Sequence, residues 1–314
     1  MEKINAYAKI NITLDVTGRL PNGYHTIKSV MQQVDLCDEV TVERIEDPGI
    51  ILTVESECGG LSAAGHDLVP CDEKNIAYRA AKAIFTEAGN KGLRTPGVRI
   101  HLKKRIPAAA GLAGGSTDAA AALVGINEAC GFAFTEEELC AVGKTIGADV
   151  PFCIKGGTVL CEGIGEKMTE LSGLPAIPVI IAKPDEAVST AEGYASLDRE
   201  LEAGTLDHPD TDGLAAVIEN AVTDRIEQND LAGAVDSLLP FLGNVFAPMT
   251  EESHPVIADI RQAMIDSGAA GALMSGSGPS VFALYKDEAM AAESEAALRK
   301  RFPDIFIYRG KLRR

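Results

Sequence analysis

The chain opens with an almost regular alternation of apolar and polar residues. Over residues 1–15, nearly every second position is apolar from Ile4 onward. A period of two predicts a β-strand with one buried face and one polar face. Lys9 and Asn11 fall on the polar face, about 7 Å apart along the strand. Two further strands are predicted over 26–36 and 39–45.

Helical and strand patterns then follow one another without an internal repeat. The order predicts an α+β protein, and the length of 314 residues allows two lobes, 1–165 and 166–314. The last strand can return to the first lobe. Predicted helices cover about 75–89, 116–130, 135–146 and 287–301. Predicted strands cover 98–104, 178–184 and 305–310, and segment 272–285 is predicted as a strand, a glycine loop and a second strand.

Composition and charge narrow the class of protein. The chain is 46% hydrophobic and 24% charged, which is typical of a globular fold, and no apolar run approaches the roughly 18 residues of a membrane span. The net charge of −17 disfavours nucleic acid and anionic lipid as partners. Any phosphate that binds therefore needs a local anion site, such as a glycine loop or a helix N-terminus. The absence of a secretory pattern at the N-terminus predicts a cytoplasmic protein.

The cysteines give little sign of a metal site. They number seven, an odd count, and include no CxxC pair, which predicts reduced thiols. Cys58, His66 and Cys71 form a sparse set whose spacing matches no common metal site. We expect a structural role for these three residues.

Several glycine-rich segments fail the spacing tests of known motifs. VGKT (142–145) lacks the first P-loop glycine, because that position is Glu138. The dinucleotide-binding fingerprint fails at Met168 and at Val281, where its third glycine belongs. Neither Ser116 nor Ser277 lies in a G-x-S-x-G elbow.

One glycine-rich segment remains, PAAAGLAGGSTDAAAAL (107–123), between a predicted strand and a helix. Glycines let backbone N–H groups approach a ligand, and a helix N-terminus favours an anion. Lys103, Lys104 and Arg105 add positive charge just before it. The segment predicts a phosphate site. The alternative is a turn of small residues that lets the Ala-rich helix pack closely.

This segment resembles the ATP-binding motif of the GHMP kinases, the family of galactokinase, homoserine kinase and mevalonate kinase. GALMSGSGPSVFAL (271–284) is similar to the third glycine motif of that family. AKINITLDVTGRLPNGYH (8–25) and GADVPFC (147–153) resemble the branch whose alcohol substrate carries a cytidine diphosphate group. The resemblance implies a two-lobed GHMP kinase fold with the active site in the cleft between the lobes.

The resemblance also implies the ligands: ATP, Mg²⁺ and cytidine diphosphate methylerythritol, with no nucleic acid or membrane partner and a monomer or weak homodimer. Magnesium would bridge the phosphates without a dedicated protein cage. The direct magnesium ligands stay unassigned. Another small-alcohol kinase, of homoserine or mevalonate type, and a non-catalytic nucleotide-binding protein stay open as alternatives.

Site residues follow from the resemblance. Asp149 would be the general base for the substrate hydroxyl, and Lys9 would hold that hydroxyl and stabilise developing negative charge. Asn11, His25 and Thr190 would hydrogen-bond the substrate, while Tyr24 and Tyr194 would sandwich the cytosine ring. The loop of Gly276, Ser277 and Gly278 would close the cleft. The residues implied at ATP are Asn75, Lys104, Pro107, Ala108, Ala109, Ala110, Gly111, Leu112, Ala113, Gly114, Gly115, Ser116 and Thr117.

Overall fold

Two long strands open the structure, a computed structural model that describes residues 1–57 and 69–314. Strand β1 spans Glu2–Arg19, and β2 spans His25–Ile45 as one continuous strand of 21 residues. The prediction of two separate strands in this region was wrong. Asp38, which lies between the two predicted strands, is fully buried, and its carboxylate accepts two backbone N–H groups, so the strand continues through it.

The chain forms two compact units that are interleaved in sequence. Unit 1 comprises 1–8, 36–108 and 113–156, and unit 2 comprises 9–35, 109–112 and 157–314. The division differs from the expected continuous lobes because β1 and β2 each contribute residues to both units. The functional lobe boundary near residue 165 stays a prediction.

Unit 1 packs helices on a small sheet. Its β4 pairs antiparallel with the end of β2 and parallel with β3, a strand that the sequence analysis missed. Small alanines of α1 and α2 face the common core, and Thr135 and Glu138 form a capping box at the start of α3. The remaining elements of unit 1 are β3 (Ile50–Ser56), α1 (Ile76–Asn90), β4 (Gly97–Lys104), α2 (Gly114–Cys130), α3 (Glu136–Lys144) and α4 (Val150–Lys155).

Unit 2 contains a four-stranded antiparallel sheet of order β11–β7–β10–β9. Its elements are β5 (Thr158–Gly163), β6 (Lys167–Glu170), β7 (Pro178–Lys183), α5 (Thr190–Ala203), α6 (Thr211–Val217), α7 (Thr223–Glu227), α8 (Leu231–Leu238), β8 (Gly243–Asn244), α9 (Ala247–Ser253), α10 (Pro255–Asp266), β9 (Gly271–Met274), β10 (Val281–Leu284), α11 (Glu288–Arg301) and β11 (Phe306–Lys311). A π-helical turn, Ile218–Val222, joins α6 to α7.

The last strand lies in the sheet of unit 2, where β11 pairs with β7 along its whole length. Just beyond it, Leu312 forms an isolated bridge with Val34 of β2. The chain end therefore reaches β2 within unit 2, and a return of the last strand to the first lobe stays a prediction. Over 1–57 and 69–314, no helix is both long and apolar enough to cross a membrane.

Candidate active site

The glycine loop between β4 and α2 has the backbone of a tight ligand-binding turn. Ala109, Gly111 and Ala113 all have positive φ, at 48°, 73° and 57°. Gly111 is required, because a Cβ there would lie 2.2 Å from the carbonyl oxygen of Ser275. Small residues accept this conformation with the least strain. The loop thus exposes backbone rather than side chains.

The start of α2 combines close packing with features of an anion site. The N-cap residue, Ala113, makes no side-chain cap to this 17-residue helix, and first-turn N–H groups carry partial positive charge. A Cβ on Gly114 would lie 3.0 Å from Ile106 Cγ2, so the turn is also tightly packed. Thr117 is buried, and its Oγ1 donates to the Tyr7 carbonyl at 2.8 Å. Both interpretations of this segment, phosphate site and packing turn, are therefore compatible.

Two residues expected near the nucleotide have side chains that bind other protein groups. Lys104 is buried, and its Nζ donates to the carboxylates of Asp38 and Asp118. Asn75 is the N-cap of α1: its Oδ1 accepts from Ala77 N at 2.8 Å, and its Nδ2 donates to the Pro70 carbonyl at 2.7 Å. Contact of either residue with ATP stays a prediction.

Burial and charge oppose each other around Lys104. Burial raises the pKa of Asp118, the Lys104 ammonium opposes this increase, and the nearby Asp38 carboxylate adds to it, so that the resulting pKa is about 8. Burial lowers the pKa of Lys104, but the two carboxylates together outweigh this, so that pKa is raised. Lys104 thus stays charged, and Asp118 is mostly protonated at neutral pH.

Asp149 stands at the start of a helix. It is the N-cap of α4, with Pro151 in the first turn. Proline suits this position because its missing N–H would have no partner there. Asp149 is half-buried. The preceding Gly147 faces α2, since a Cβ on it would lie 4.0 Å from Ser116 Oγ.

Lys9 and Asn11 lie on one face of β1, as the alternation predicted. Lys9 Nζ donates to Asn11 Oδ1 at 2.6 Å, and Asn11 Nδ2 donates to Ser29 Oγ at 2.8 Å. Both side chains are buried, so the expected solvent-facing polar side is wrong at these positions. Hydrogen bonds within unit 2 compensate for the lost hydration of these polar groups.

His25 and Tyr194 contact each other directly. Their rings stack with centroids 4.5 Å apart, and the edge of Phe246 packs against Tyr194 at 5.0 Å. His25 Nε2 lies 2.5 Å from Asp198 Oδ1, and Asp198 Oδ2 pairs with Arg19 at 3.0 Å. Sequence reasoning missed Asp198 and Arg19, because no local motif links positions so far apart in the chain.

The other predicted substrate residues are placed differently. Tyr24 is 61% exposed and follows a turn in which its N–H donates to Asn22 Oδ1. Thr190, the first residue of α5, shares a hydrogen bond of 2.9 Å with Ser277 Oγ. The structure thus joins Thr190 to the glycine loop of 276–278, while the sandwich of Tyr24 and Tyr194 stays a prediction.

The two glycine motifs meet through residues 110–111, which belong to unit 2. Ser275 Oγ donates to the Gly111 carbonyl at 3.1 Å, and Ser280 N donates to the Ala110 carbonyl at 3.3 Å. Asn244 supports the second loop, since its Nδ2 donates to the carbonyl groups of Met274 and Gly276. The backbone carbonyl groups of the first glycine motif therefore hold the second motif in place through hydrogen bonds.

No protein cage for a metal is found in the described part of the chain. Within 1–57 and 69–314, no group of three or more His, Cys, Asp or Glu side chains is arranged to hold an ion. Cys58 and His66, from the sparse set noted above, lie outside the described residues, while Cys71 is exposed.

Two segments of the chain match models of a known protein family. Residues 75–157 match the model of the GHMP kinases N terminal domain, and residues 225–304 match that of the GHMP kinases C terminal domain. The first match contains α1, the glycine loop and Asp149. The second contains the glycine loop at 275–280.

Curated relatives and solved structures agree over the whole length. A 4-diphosphocytidyl-2-C-methyl-D-erythritol kinase from Caldicellulosiruptor saccharolyticus is 40% identical, covering 97% of this chain and 95% of that one. One from Clostridium beijerinckii is 41% identical, covering 98% and 99%. A crystal structure of 4-(cytidine 5'-diphospho)-2C-methyl-D-erythritol kinase matches with a TM-score of 0.75 at 28% identity, covering 99% of each chain. A homoserine kinase from Cytophaga hutchinsonii, at 20% identity and TM-score 0.66, covering 99% of this chain and 95% of that one, shares the fold.

Proposed function

This chain belongs to the GHMP kinase family, and we propose that it transfers the γ-phosphoryl group of ATP to the 2-hydroxyl of 4-diphosphocytidyl-2-C-methyl-D-erythritol. It is an ATP-dependent small-molecule kinase of the non-mevalonate isoprenoid precursor pathway. The observation that carries the proposal is the identity of about two residues in five with kinases of this name along nearly the entire chain.

The glycine loop is the proposed site of the triphosphate. Its backbone has positive φ at Ala109, Gly111 and Ala113, and the N-terminus of α2 has no side-chain cap. Both features suit an anion. The chain carries 46 acidic residues against 29 basic ones, so this local device has to overcome a repulsive overall charge.

The proposed chemistry is an in-line displacement at phosphorus. The 2-hydroxyl oxygen forms a bond to the γ-phosphorus, the bond from that phosphorus to the β–γ bridging oxygen breaks, and ADP leaves. Asp149 takes the hydroxyl proton as the general base. Lys9 orients the hydroxyl and stabilises negative charge that grows during the transfer.

His25, Tyr24 and Tyr194 form the proposed site for the cytosine of the substrate, and Asn11 and Thr190 are proposed to hydrogen-bond the substrate. Asn11 is held by Ser29, and the ring of His25 is held by Asp198 and by its stack on Tyr194. Ring stacking on a base contributes about 1–3 kcal/mol. These contacts suit a substrate with a flat heterocycle, which homoserine and mevalonate lack.

Magnesium is the proposed metal, carried by the phosphate oxygens rather than by a protein cage. The described residues offer no cluster of three ligands, and Mg²⁺ usually keeps several waters. Bound to the triphosphate, Mg²⁺ would supply positive charge that offsets the negative charge of the phosphates. We also propose a cytoplasmic location and a monomer or weak homodimer.

ADP release from Mg-ATP tests the proposal, with the cytidyl-diphosphate methylerythritol, homoserine and mevalonate offered in parallel. The proposal expects turnover with the first alcohol alone. Turnover with homoserine or mevalonate would keep the kinase and remove the cytidine site. Nucleotide binding without turnover of any alcohol would favour a non-catalytic protein.

A further inference from the structure

Three buried ionisable groups lie beneath the glycine loop in unit 1. Asp38 comes from β2, Lys104 from the end of β4, and Asp118 from α2. Each is at most 4% exposed. We call these three residues the buried triad. Burying charge is costly unless the groups are paired and hydrogen-bonded, so a cluster at this depth has to be nearly complete in its contacts.

Asp38 fixes the start of the glycine loop. Its Oδ1 accepts from the backbone N–H groups of Arg105 and Ile106, at 2.5 and 2.8 Å, and its Oδ2 accepts from Lys104 Nζ. These are the last two residues before the loop begins at Pro107. A carboxylate that accepts three donors is well suited to the ionised form.

Asp118 follows the other end of the loop in the sequence, and its carboxyl group binds Lys104. It lies in the second turn of α2, and its Oδ2 accepts from Lys104 Nζ at 2.5 Å. Its Oδ1 has no hydrogen-bond partner among the described residues, although the side chain is buried. An ionised carboxylate with an unpartnered buried oxygen is costly, whereas a neutral carboxyl group is much less so.

The Lys104 ammonium joins these two ends. It lies 3.7 Å from the point where a Cβ on Gly114 would be placed, directly under the first turn of α2. One ammonium and one carboxylate make a neutral pair. A second carboxylate would leave a net buried negative charge next to a site for phosphate, where it would repel the ligand.

We propose that Asp38 and Asp118 are positioning residues of the nucleotide loop, joined through Lys104, with Asp38 acting as a carboxylate and Asp118 as a neutral carboxyl group. This inference rests on the proposed function, because it assigns the loop to ATP. The raised pKa of Asp118, about 8 because of its burial, agrees with the assignment. Lys104 then acts on the loop from below rather than on the nucleotide.

Matched substitutions at the two aspartates test the difference between them. Asp118→Ala and Asp38→Ala should each weaken binding of a fluorescent ATP analogue by about tenfold to a hundredfold, because the loop loses one anchor. Asp118→Asn should restore binding, since an amide mimics a neutral carboxyl group. Asp38→Asn should not restore binding, because it removes the negative charge that pairs with Lys104.

The pH profile gives a readout that a purely structural role would not move. The charged groups facing Asp118 are Lys104 on β4 and Asp38 on β2, and α1 presents the apolar Ile76 beside Gly115. ATP affinity of the wild type should fall as the pH passes above about 8, when Asp118 ionises. The Asp118→Asn variant should keep its affinity over the same range.

Equal rescue by both asparagine variants, or by neither, would overturn the assignment of charge. Loss of thermal stability in Asp118→Ala with unchanged nucleotide affinity would overturn the positioning role.

Hydrogen exchange of the backbone amides of 105–117 tests the positioning role without any ligand. The exchange rate should rise in Asp118→Ala and return to that of the wild type in Asp118→Asn. Failure of the wild type to bind ATP would count against the proposed function, whereas unchanged exchange would count against this inference. If Asp38→Ala does not fold, the Asp118 variants suffice.

Discussion

The buried triad of unit 1 and the ionic cluster around His25 in unit 2 use similar groups in different surroundings. The triad places Lys104 between Asp38 and Asp118, all nearly inaccessible. In the second cluster, which we call the His25 cluster and which comprises Arg19, His25, Tyr194 and Asp198, the Asp198 side chain is 22% exposed and Arg19 is 56% exposed.

Because the two clusters differ in solvent access, the loss of an ion-pair partner has different consequences in each. In the triad, each charge has exchanged water for one or two protein partners, so loss of a partner leaves a buried charge uncompensated. In the His25 cluster, water can replace a lost partner, so the same change is tolerated. The triad is thus suited to fixing a backbone loop, and the His25 cluster to orienting a side chain.

The largest effect should come from a residue outside both clusters. Asp149→Asn removes the proposed base and should lower kcat by about 10²- to 10⁴-fold, because general base catalysis contributes about that much. Steady-state kinetics with both substrates saturating measure it. ATP affinity, measured with the fluorescent analogue, should stay unchanged. A kcat close to that of the wild type would show that Asp149 is not the base.

Removing the cation from each cluster compares them directly. Lys104→Met leaves two buried carboxyl groups without their partner and should lower the free energy of unfolding by about 3–5 kcal/mol. Arg19→Met, the matched change in the exposed cluster, should lower it by at most about 1 kcal/mol. Urea denaturation at pH 7 measures both. Equal losses would contradict the contrast between buried and exposed ion pairs.

The pH dependence of stability gives a smaller and more specific effect. The native state raises the pKa of Asp118 from 3.8 to about 8, so between these values it binds a proton that the unfolded chain has released. Stability contributed by this group is therefore present at low pH and is lost progressively as the pH rises towards 8. Asp118→Asn should flatten this part of the curve, as measured by urea denaturation from pH 5 to pH 9. A curve parallel to that of the wild type would contradict the assignment.

The smallest effect should come from the His25 cluster. Asp198→Ala removes the partner of His25 Nε2 and should raise the KM for the cytidine substrate about twofold to tenfold, the loss of one hydrogen bond. The KM for ATP and kcat should stay the same. Arg19→Ala, which leaves the contact between His25 and Asp198 intact, serves as the control. A change confined to kcat would show that Asp198 acts elsewhere.

Much of the fold was predictable because local patterns and turn chemistry agree with the tertiary structure. The alternation of β1 and the helices predicted from about residues 75 and 135 all gave the correct element. The errors occurred where long-range contacts override a local signal. Two strands were predicted over 26–36 and 39–45, yet the N–H groups of residues 105 and 106 satisfy the carboxylate of Asp38 between them, and β2 is continuous.

The candidate site was predictable only in part for the same reason. The glycine motifs are contiguous in sequence, so they could be found without coordinates. The partners Asp198 and Arg19 of the His25 cluster, and the pairing of Lys104 with Asp38 and Asp118, depend on residues distant in the chain. Basic residues before a glycine loop suggest contact with phosphate, and that contact stays a prediction for Lys104, whose pairing with two buried aspartates the sequence does not reveal.

The most direct test of the central claim is a ³¹P NMR spectrum of the wild-type protein with Mg-ATP and 4-diphosphocytidyl-2-C-methyl-D-erythritol. The account predicts a new phosphomonoester resonance that grows in step with ADP, while the diphosphate bridge of the substrate stays intact. ATP consumption without a phosphomonoester, or an equal phosphomonoester signal with homoserine, would contradict it.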